Sequence, residues 1–111
     1  MNLNQILSGE FVTYQVHMLA FCEHDVRHVV VPRAELRQAE DEEAILDLVY
    51  KYGQNDFAIY EQRMPSVSMG DVIDLNGALY RVESVGFKKM TLAEFIAYHE
   101  MPRRERVFEC M

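Results

Sequence analysis

The densest group of residues that could do chemistry lies in one short stretch. Cys22, His24, Asp25 and His28 fall within seven residues and offer thiolate, imidazole and carboxylate ligands. A structural zinc site needs two ligand pairs, and His24 with His28 supplies only half of that set. Cys22 beside a histidine also lacks the third, orienting group and the oxyanion loop of a catalytic nucleophile. We interpret these residues as the polar tip of a hairpin beside a buried, inert thiol, and we predict no metal and no cofactor.

A second polar group surrounds a turn in the middle of the chain. Ser66, Ser68 and Asp71 lie where hydroxyl and carboxylate oxygens typically accept hydrogen bonds from nearby backbone amides. With the preceding polar tract they form a candidate polar pocket of six residues: Gln54, Asn55, Asp56, Ser66, Ser68 and Asp71. The structural interpretation, a turn, is the one we favour. An enzyme would instead need a concave pocket here that holds a carboxylate with a shifted pKa.

Negative charge is the clearest compositional signal. The net charge is −7. Residues 1–80 have a net charge of −8, and residues 81–111 have a net charge of +1. An acidic surface disfavours direct nucleic-acid binding, because lysine and arginine supply most of that affinity. It fits a protein that binds a basic surface, although solubility alone is the simpler explanation. The candidate acidic face consists of Glu40, Asp41, Glu42, Glu43 and Asp47.

Positive charge gathers near the C-terminal end of the sequence. Six basic residues lie there: Arg81, Lys88, Lys89, Arg103, Arg104 and Arg106. With Tyr80 and Phe87 they allow a weaker interpretation, in which aromatic and basic side chains on a hairpin stack and clamp single-stranded RNA. Ordinary surface charge is the alternative.

The element expected to organise the fold is a hairpin at Asn76-Gly77. Alternating runs at Asp71–Leu75 and Ala78–Val85 flank this pair, and a type I′ turn needs a positive φ at both central residues. Gly86 is expected to close the second strand. Upstream, residues 11–21 and 26–31 predict a second hairpin, with Tyr14, Val16 and Met18 on one face and Pro32 as the stop. Residues 2–8 read as a short capped segment.

Two amphipathic helices are expected to cover the sheet. The first has acidic residues in its first turn, Gly53 as a left-handed terminator, and an apolar stripe of Ala44, Ile45, Leu48, Val49 and Tyr52. The second begins with a capping box at Thr91 and Glu94, ends before Pro102, and has a stripe of Leu92, Phe95, Ile96 and His99. Residues 54–65 predict a loop, with a short edge strand possible at 57–60. Val107 and Phe108 form either an edge strand or a loose end.

These elements predict one α+β domain over residues 1–111. Its antiparallel sheet has four or five strands, made of two hairpins and covered by the two helices. No apolar run reaches the roughly 18 residues of a membrane span, and the N-terminal residues lack the positive region of a signal peptide. We therefore expect a cytoplasmic protein with both cysteines reduced, either a monomer or a homodimer paired through a strand edge.

Three tracts of the chain carry a resemblance to a known family. They are Val49-Tyr-Lys-Tyr-Gly-Gln-Asn-Asp-Phe57, Pro65-Ser-Val-Ser-Met-Gly-Asp-Val-Ile73 and Tyr80-Arg-Val-Glu-Ser-Val-Gly-Phe87. They resemble a family of small uncharacterised bacterial proteins encoded on plasmids, phages and other mobile elements, and the last two are similar to the YodL-type domain of conjugative elements. The resemblance spans about residues 10–90. It implies a genomic setting but no activity and no catalytic residues.

Together these observations predict a protein-binding module from a mobile genetic element rather than an enzyme. Its acidic face would engage a basic surface on a host or defence protein that handles nucleic acid. The alternatives are a small RNA- or nucleotide-binding β-rich domain, and an enzyme with a pocket near Asn55, Asp56, Ser68 and Asp71.

Overall fold

A computed structural model describes residues 9–22, 25–59 and 64–110. Within these ranges the chain forms five strands and four helices. In order they are β1 (Phe11–Met18), β2 (Asp25–Pro32), α1 (Arg33–Leu36), α2 (Glu42–Tyr52), β3 (Val72–Leu75), β4 (Ala78–Val82), β5 (Phe87–Met90), α3 (Leu92–Glu100) and α4 (Arg103–Glu109). The α+β class is confirmed. The capped segment expected at residues 2–8 lies outside the described residues.

The strands form one antiparallel sheet in the order β2-β1-β3-β4-β5. β1 pairs with β2 along its whole length and with β3 through Gln15, Val16 and His17. The N-terminal and central hairpins therefore belong to the same sheet, and β2 and β5 are its edges. The expectation of a monomer or an edge-paired homodimer stays a prediction.

The Asn76-Gly77 hairpin is confirmed. Asn76 and Gly77 both have a positive φ, 53° and 97°, and the Gly77 N–H donates to Asp74 Oδ1 at 2.7 Å. The second strand is shorter than we predicted, because the Glu83 N–H donates to the Gly86 carbonyl at 3.0 Å and so closes another turn. The chain then continues as β5, an edge strand that the sequence analysis missed.

The pairing register separates the two faces of the sheet. Val16, Ile73 and Tyr80 align across β1, β3 and β4 on the face covered by α2, which buries Leu46 and Val49. The opposite face carries a second apolar cluster, formed by Leu19, Val72, Met90, Tyr98 and Cys110. Helices α3 and α4 contribute Tyr98 and Arg106 to this side, so helices pack on both faces of the sheet.

The two predicted helices are α2 and α3, and the structure adds α1 and α4. Val107 and Phe108 lie in α4, so both the edge strand and the loose end expected there are wrong. The apolar stripe assigned to α3 is correct only in part: Phe95 packs against the second apolar cluster, but Leu92 and Ile96 are 67% and 48% exposed, and the buried residue is Tyr98. Tyr98 faces inward because its hydroxyl donates to the Gly70 carbonyl at 2.5 Å.

Gly53 ends α2 for a different reason from the one expected. Its φ is −80°, in the right-handed region, so it is not a left-handed terminator. A Cβ at this position would lie only 2.4 Å from Val67 Cγ2, so the glycine is needed for close packing. Residues 57–59 form a turn and irregular backbone instead of a strand, and residue 60 lies outside the described ranges. No helix in the described part of the chain has the length and apolar character to span a membrane.

Candidate functional site

The acidic face is positioned by the first turns of α2. Asp41 is the N-cap residue, and its Oδ1 accepts a hydrogen bond from the Ala44 N–H at 2.8 Å. Glu42 and Glu43 follow in the first turn, where negative charge is favourable beside the unpaired N–H groups. All five members of the acidic face are exposed; three of them lie on α2, Asp41 caps it and Glu40 immediately precedes the cap.

Most of these carboxylates have no cationic partner within the described part of the chain. The two ion pairs there join Lys51 to Glu35 and Arg81 to Glu83, and neither includes a member of the acidic face. Glu42 is the member tied most closely to the sheet, because its carboxylate accepts a short hydrogen bond from the Tyr80 hydroxyl. That hydrogen bond raises the pKa of Tyr80. Glu40, Glu43 and Asp47 therefore present negative charge to solvent.

Three cavities border α2. The largest, 510 Å³, lies between α2 and the turn that joins β4 to β5, and Asp47, Tyr50, Glu83 and Phe87 are among its lining residues. A cavity of 220 Å³ lies beside it near Glu42 and Glu43 and shares Phe87. A third, of 370 Å³, borders Asp47, Leu48 and Lys51 on the α1 side. The acidic face is therefore bordered by recesses.

The candidate polar pocket is a network of structural hydrogen bonds. Gln54 Nε2 donates to the carbonyls of Tyr50 and Val67 at 2.9 and 2.8 Å, and the Asn55 N–H donates to Ser66 Oγ at 2.9 Å. The Ser68 hydroxyl in turn donates to the Ser66 carbonyl at 3.0 Å. The network joins the end of α2 to the segment before β3, and its members line none of the three cavities just described. Asp56 is exposed.

Asp71 is the strongest titratable feature of this group. It is fully buried, with Oδ1 accepting from the Ala20 N–H at 2.9 Å and Oδ2 from the Ser68 N–H at 2.8 Å. Burial raises the pKa of Asp71 to about 6, and the backbone hydrogen bonds act in the opposite direction. Because both carboxylate oxygens accept backbone N–H groups and are hidden from solvent, Asp71 joins the β1–β2 connection to the start of β3.

Arg27 is a central residue of this region that the sequence analysis did not single out. It is 1% exposed, and its Nη1 donates to Asn55 Oδ1 at 2.8 Å and to the Pro65 carbonyl at 3.0 Å. Its Nε has no hydrogen-bond partner among the described residues. The available signal was the alternation of β2, because Arg27 shares the inward face with Val29 and Val31.

Two of the six basic residues in the RNA interpretation are buried. Arg81 pairs with Glu83 and lies 5.0 Å from the centre of the Tyr98 ring, while Arg106 donates to the Leu19 and Met101 carbonyls at 2.9 and 2.7 Å. Neither guanidinium is available to RNA phosphates. Lys88 and Lys89 are exposed, but consecutive strand residues face opposite sides of the sheet and cannot form one patch.

The residues around Cys22 form no metal cluster that the structure describes. His24 lies outside the described residues, and no group of three or more metal-ligating side chains occurs among the rest. Cys22 is partly buried rather than fully buried. Burial, followed by the nearby carboxylate of Asp25, raises the pKa of the thiol and keeps it protonated.

Comparison with known proteins adds no function to this geometry. No family model, no curated protein and no solved structure matches the chain. The resemblance of about residues 10–90 to YodL-type domains therefore stays a prediction. Among the candidate sites, the acidic face is the one whose charged side chains are all exposed, and cavities flank it.

Proposed function

We propose that this chain is a non-enzymatic protein-binding module whose acidic face binds a basic surface on a partner protein. The observation that carries the proposal is the exposed negative charge at the start of α2, which has no ion-pair partner among the described residues. Residues 40–47 hold five carboxylates and no basic residue, and all five are exposed. A partner rich in lysine and arginine would neutralise this charge and relieve the repulsion among neighbouring carboxylates.

The rigidity of α2 supports the same proposal. Leu46 and Val49 anchor the helix to the sheet, and the Asp41 cap fixes its first turn. The backbone of a fixed helix does not have to be ordered on binding, so only the side-chain conformations are restricted, which favours a stable complex. Because the charges are solvent-exposed, we expect the association rate to fall as salt is added.

The partner class follows from the charge and from the family resemblance. Proteins that handle nucleic acid carry basic surfaces for phosphate, and an acidic helix imitates part of that charge pattern. The proposal therefore extends to a host or defence protein of this kind, with the module acting as an inhibitor encoded on a mobile element. The charge of α2 supports the first part of this extension, and the resemblance supports the second.

A capture experiment with matched charge variants tests the proposal. The test variant replaces Glu40, Glu43 and Asp47 with Lys, and the control replaces Glu10, Glu100 and Glu105, which are also exposed, with Lys. Both variants change the net charge from −7 to −1. We expect the wild type and the control to retain the same basic, nucleic-acid-handling protein from a bacterial lysate, and the test variant to lose it.

The purified captured protein then serves for a direct titration. We expect the dissociation constant for the test variant to rise at least about ten-fold more than that for the control, because only the test variant reverses the charges of the acidic face. Retention of the partner by both variants would show that the acidic face does not determine binding. Equal loss from both would show that overall charge, and not this face in particular, determines it.

A further inference from the structure

The 510 Å³ cavity beside α2 combines an apolar lining with carboxylates along its rims. We call it the α2 groove and define it by six of its lining residues: Asp47, Tyr50, Met69, Val82, Glu83 and Phe87. Ser84 and Gly86 complete the lining, and four of the eight lining residues present aromatic or aliphatic surface. The groove therefore offers apolar contact area beside its carboxylates.

We propose that the α2 groove binds an apolar side chain of the partner that is flanked in sequence by lysine or arginine. This inference rests on the proposed function and deepens it, because it adds a recognition element beyond charge. The occupant is thus a basic peptide segment with one aromatic or large aliphatic residue at its centre.

Aromatic side chains form the two walls of the α2 groove. Tyr50 lies on α2 and is 37% exposed, and Phe87 opens β5 on the opposite wall. Phe87 also lines the neighbouring 220 Å³ cavity, so the recess continues along α2 towards Glu43. Burying one aromatic side chain between such walls should strengthen binding about ten-fold or more over the same peptide without it.

Carboxylates lie along both rims of the α2 groove. Glu43 and Asp47 are four residues apart on α2 and therefore lie on the same face of the helix, and Glu43 Oε1 would be 3.9 Å from a Cβ on Gly86 in the opposing turn. Glu83, on the far rim, is partly neutralised because its Oε2 pairs with Arg81 at 3.0 Å. The α2 rim therefore supplies the net negative charge, and the basic residues of the occupant should lie along it.

Three synthetic peptides separate the two contributions. The basic-aromatic probe is Gly-Lys-Arg-Phe-Lys-Arg-Gly, the basic probe replaces its Phe with Gly, and the neutral probe replaces each basic residue with Ser. Binding to the full chain is measured by fluorescence anisotropy at low ionic strength. We expect the basic-aromatic probe to bind about ten-fold more tightly than the basic probe, and the neutral probe to bind most weakly.

Two single-residue variants test whether the preference comes from the groove. Ser84→Trp fills the groove from an exposed lining position, and Val85→Trp is the matched control at the next residue, which is 90% exposed and outside the lining. Both keep every carboxylate. Ser84→Trp should abolish the preference for the aromatic probe and leave basic-probe binding unchanged, whereas Val85→Trp should preserve the preference. Tyr50→Ala is a second groove variant with the same expected loss, should Ser84→Trp fail to fold by circular dichroism.

The outcomes distinguish this inference from the proposed function. Equal binding of the two basic probes, or a preference that survives in Ser84→Trp and Tyr50→Ala, would overturn the groove and leave the acidic face as a purely electrostatic site. Tight binding of the neutral probe would overturn the proposed function while retaining an apolar groove. Absence of binding by all three probes would overturn both.

Discussion

On the α2 side of the sheet, the carboxylates of Glu40, Glu43 and Asp47 face solvent and have no cationic partner among the described residues. On the opposite side, the guanidinium groups of Arg81 and Arg106 are buried and bound to a carboxylate and to backbone carbonyls. The two clusters of like charge are of similar size in the sequence. The difference teaches that a charged side chain is available for recognition only where its hydrogen-bonding groups are not already occupied within the fold.

Replacing Arg106 should give the largest effect on stability. Arg106→Met keeps much of the side-chain volume but leaves the carbonyls of Leu19 and Met101 without their donor. We expect the free energy of unfolding to fall by about 3 kcal/mol, because buried acceptors lose their partners. Urea denaturation measures this change. Arg104→Met, at an exposed position, is the control and should change stability by less than about 0.5 kcal/mol. Similar values for the two variants would remove the contrast between the clusters.

The stability of the chain should depend on pH through the buried carboxyl group of Asp71. Its pKa of about 6 in the folded chain lies above the ordinary value of 3.8, so the folded state binds more protons between these two values. The contribution of Asp71 is therefore most favourable below pH 4 and is lost as pH rises through 6, by about 3 kcal/mol. Denaturation across this pH range should show that decline in the wild type and lack it in Asp71→Asn. Asp56→Asn, which alters an exposed carboxylate, should keep the decline. A decline that persists in Asp71→Asn would assign it to another group.

The smallest effect concerns two neighbours within the acidic face. Asp41→Ala removes the N-cap hydrogen bond to the Ala44 N–H and should cost about 1 kcal/mol. Glu40→Ala, one residue earlier, removes an exposed charge and should change stability by less than about 0.5 kcal/mol. Thermal unfolding of the two variants measures the difference. Equal destabilisation would show that Asp41 has no greater structural role than Glu40.

The parts of the fold with strong local signals could be predicted from the sequence. Asn76-Gly77 determines its turn through backbone conformation alone, and Thr91 with Glu94 forms the expected capping box. The acidic first turn expected for α2 is present as Glu42 and Glu43, whereas the N-cap role of Asp41 was not predicted. These signals depend on a few neighbouring residues, so no knowledge of the tertiary structure was needed.

The missed parts depend on contacts between distant residues. Phe87–Met90 shows no clean alternation, and it becomes a strand because β4 offers a free edge. The α4 sequence appears charged, yet Arg106 is buried because carbonyls from the β1–β2 connection surround it. Arg27 is buried for a related reason, since Asn55 and Pro65 satisfy its Nη1. Hydropathy predicts that every arginine is exposed, so it could not predict the burial of Arg27 and Arg106.

The seam between β1 and β3 has a consequence for the kinetics of folding. Gln15, Val16 and His17 meet Asp74, Ile73 and Val72 there, and these partners are more than fifty residues apart along the chain. Each hairpin can form quickly, because its strands are close in sequence. Pairing β1 with β3 requires the long segment between them to close into a loop first, and this loss of chain entropy precedes any gain from strand pairing. We expect this late union to set the overall refolding rate, so that Val16→Ala slows refolding more than an equally destabilising change at Val31, within the N-terminal hairpin.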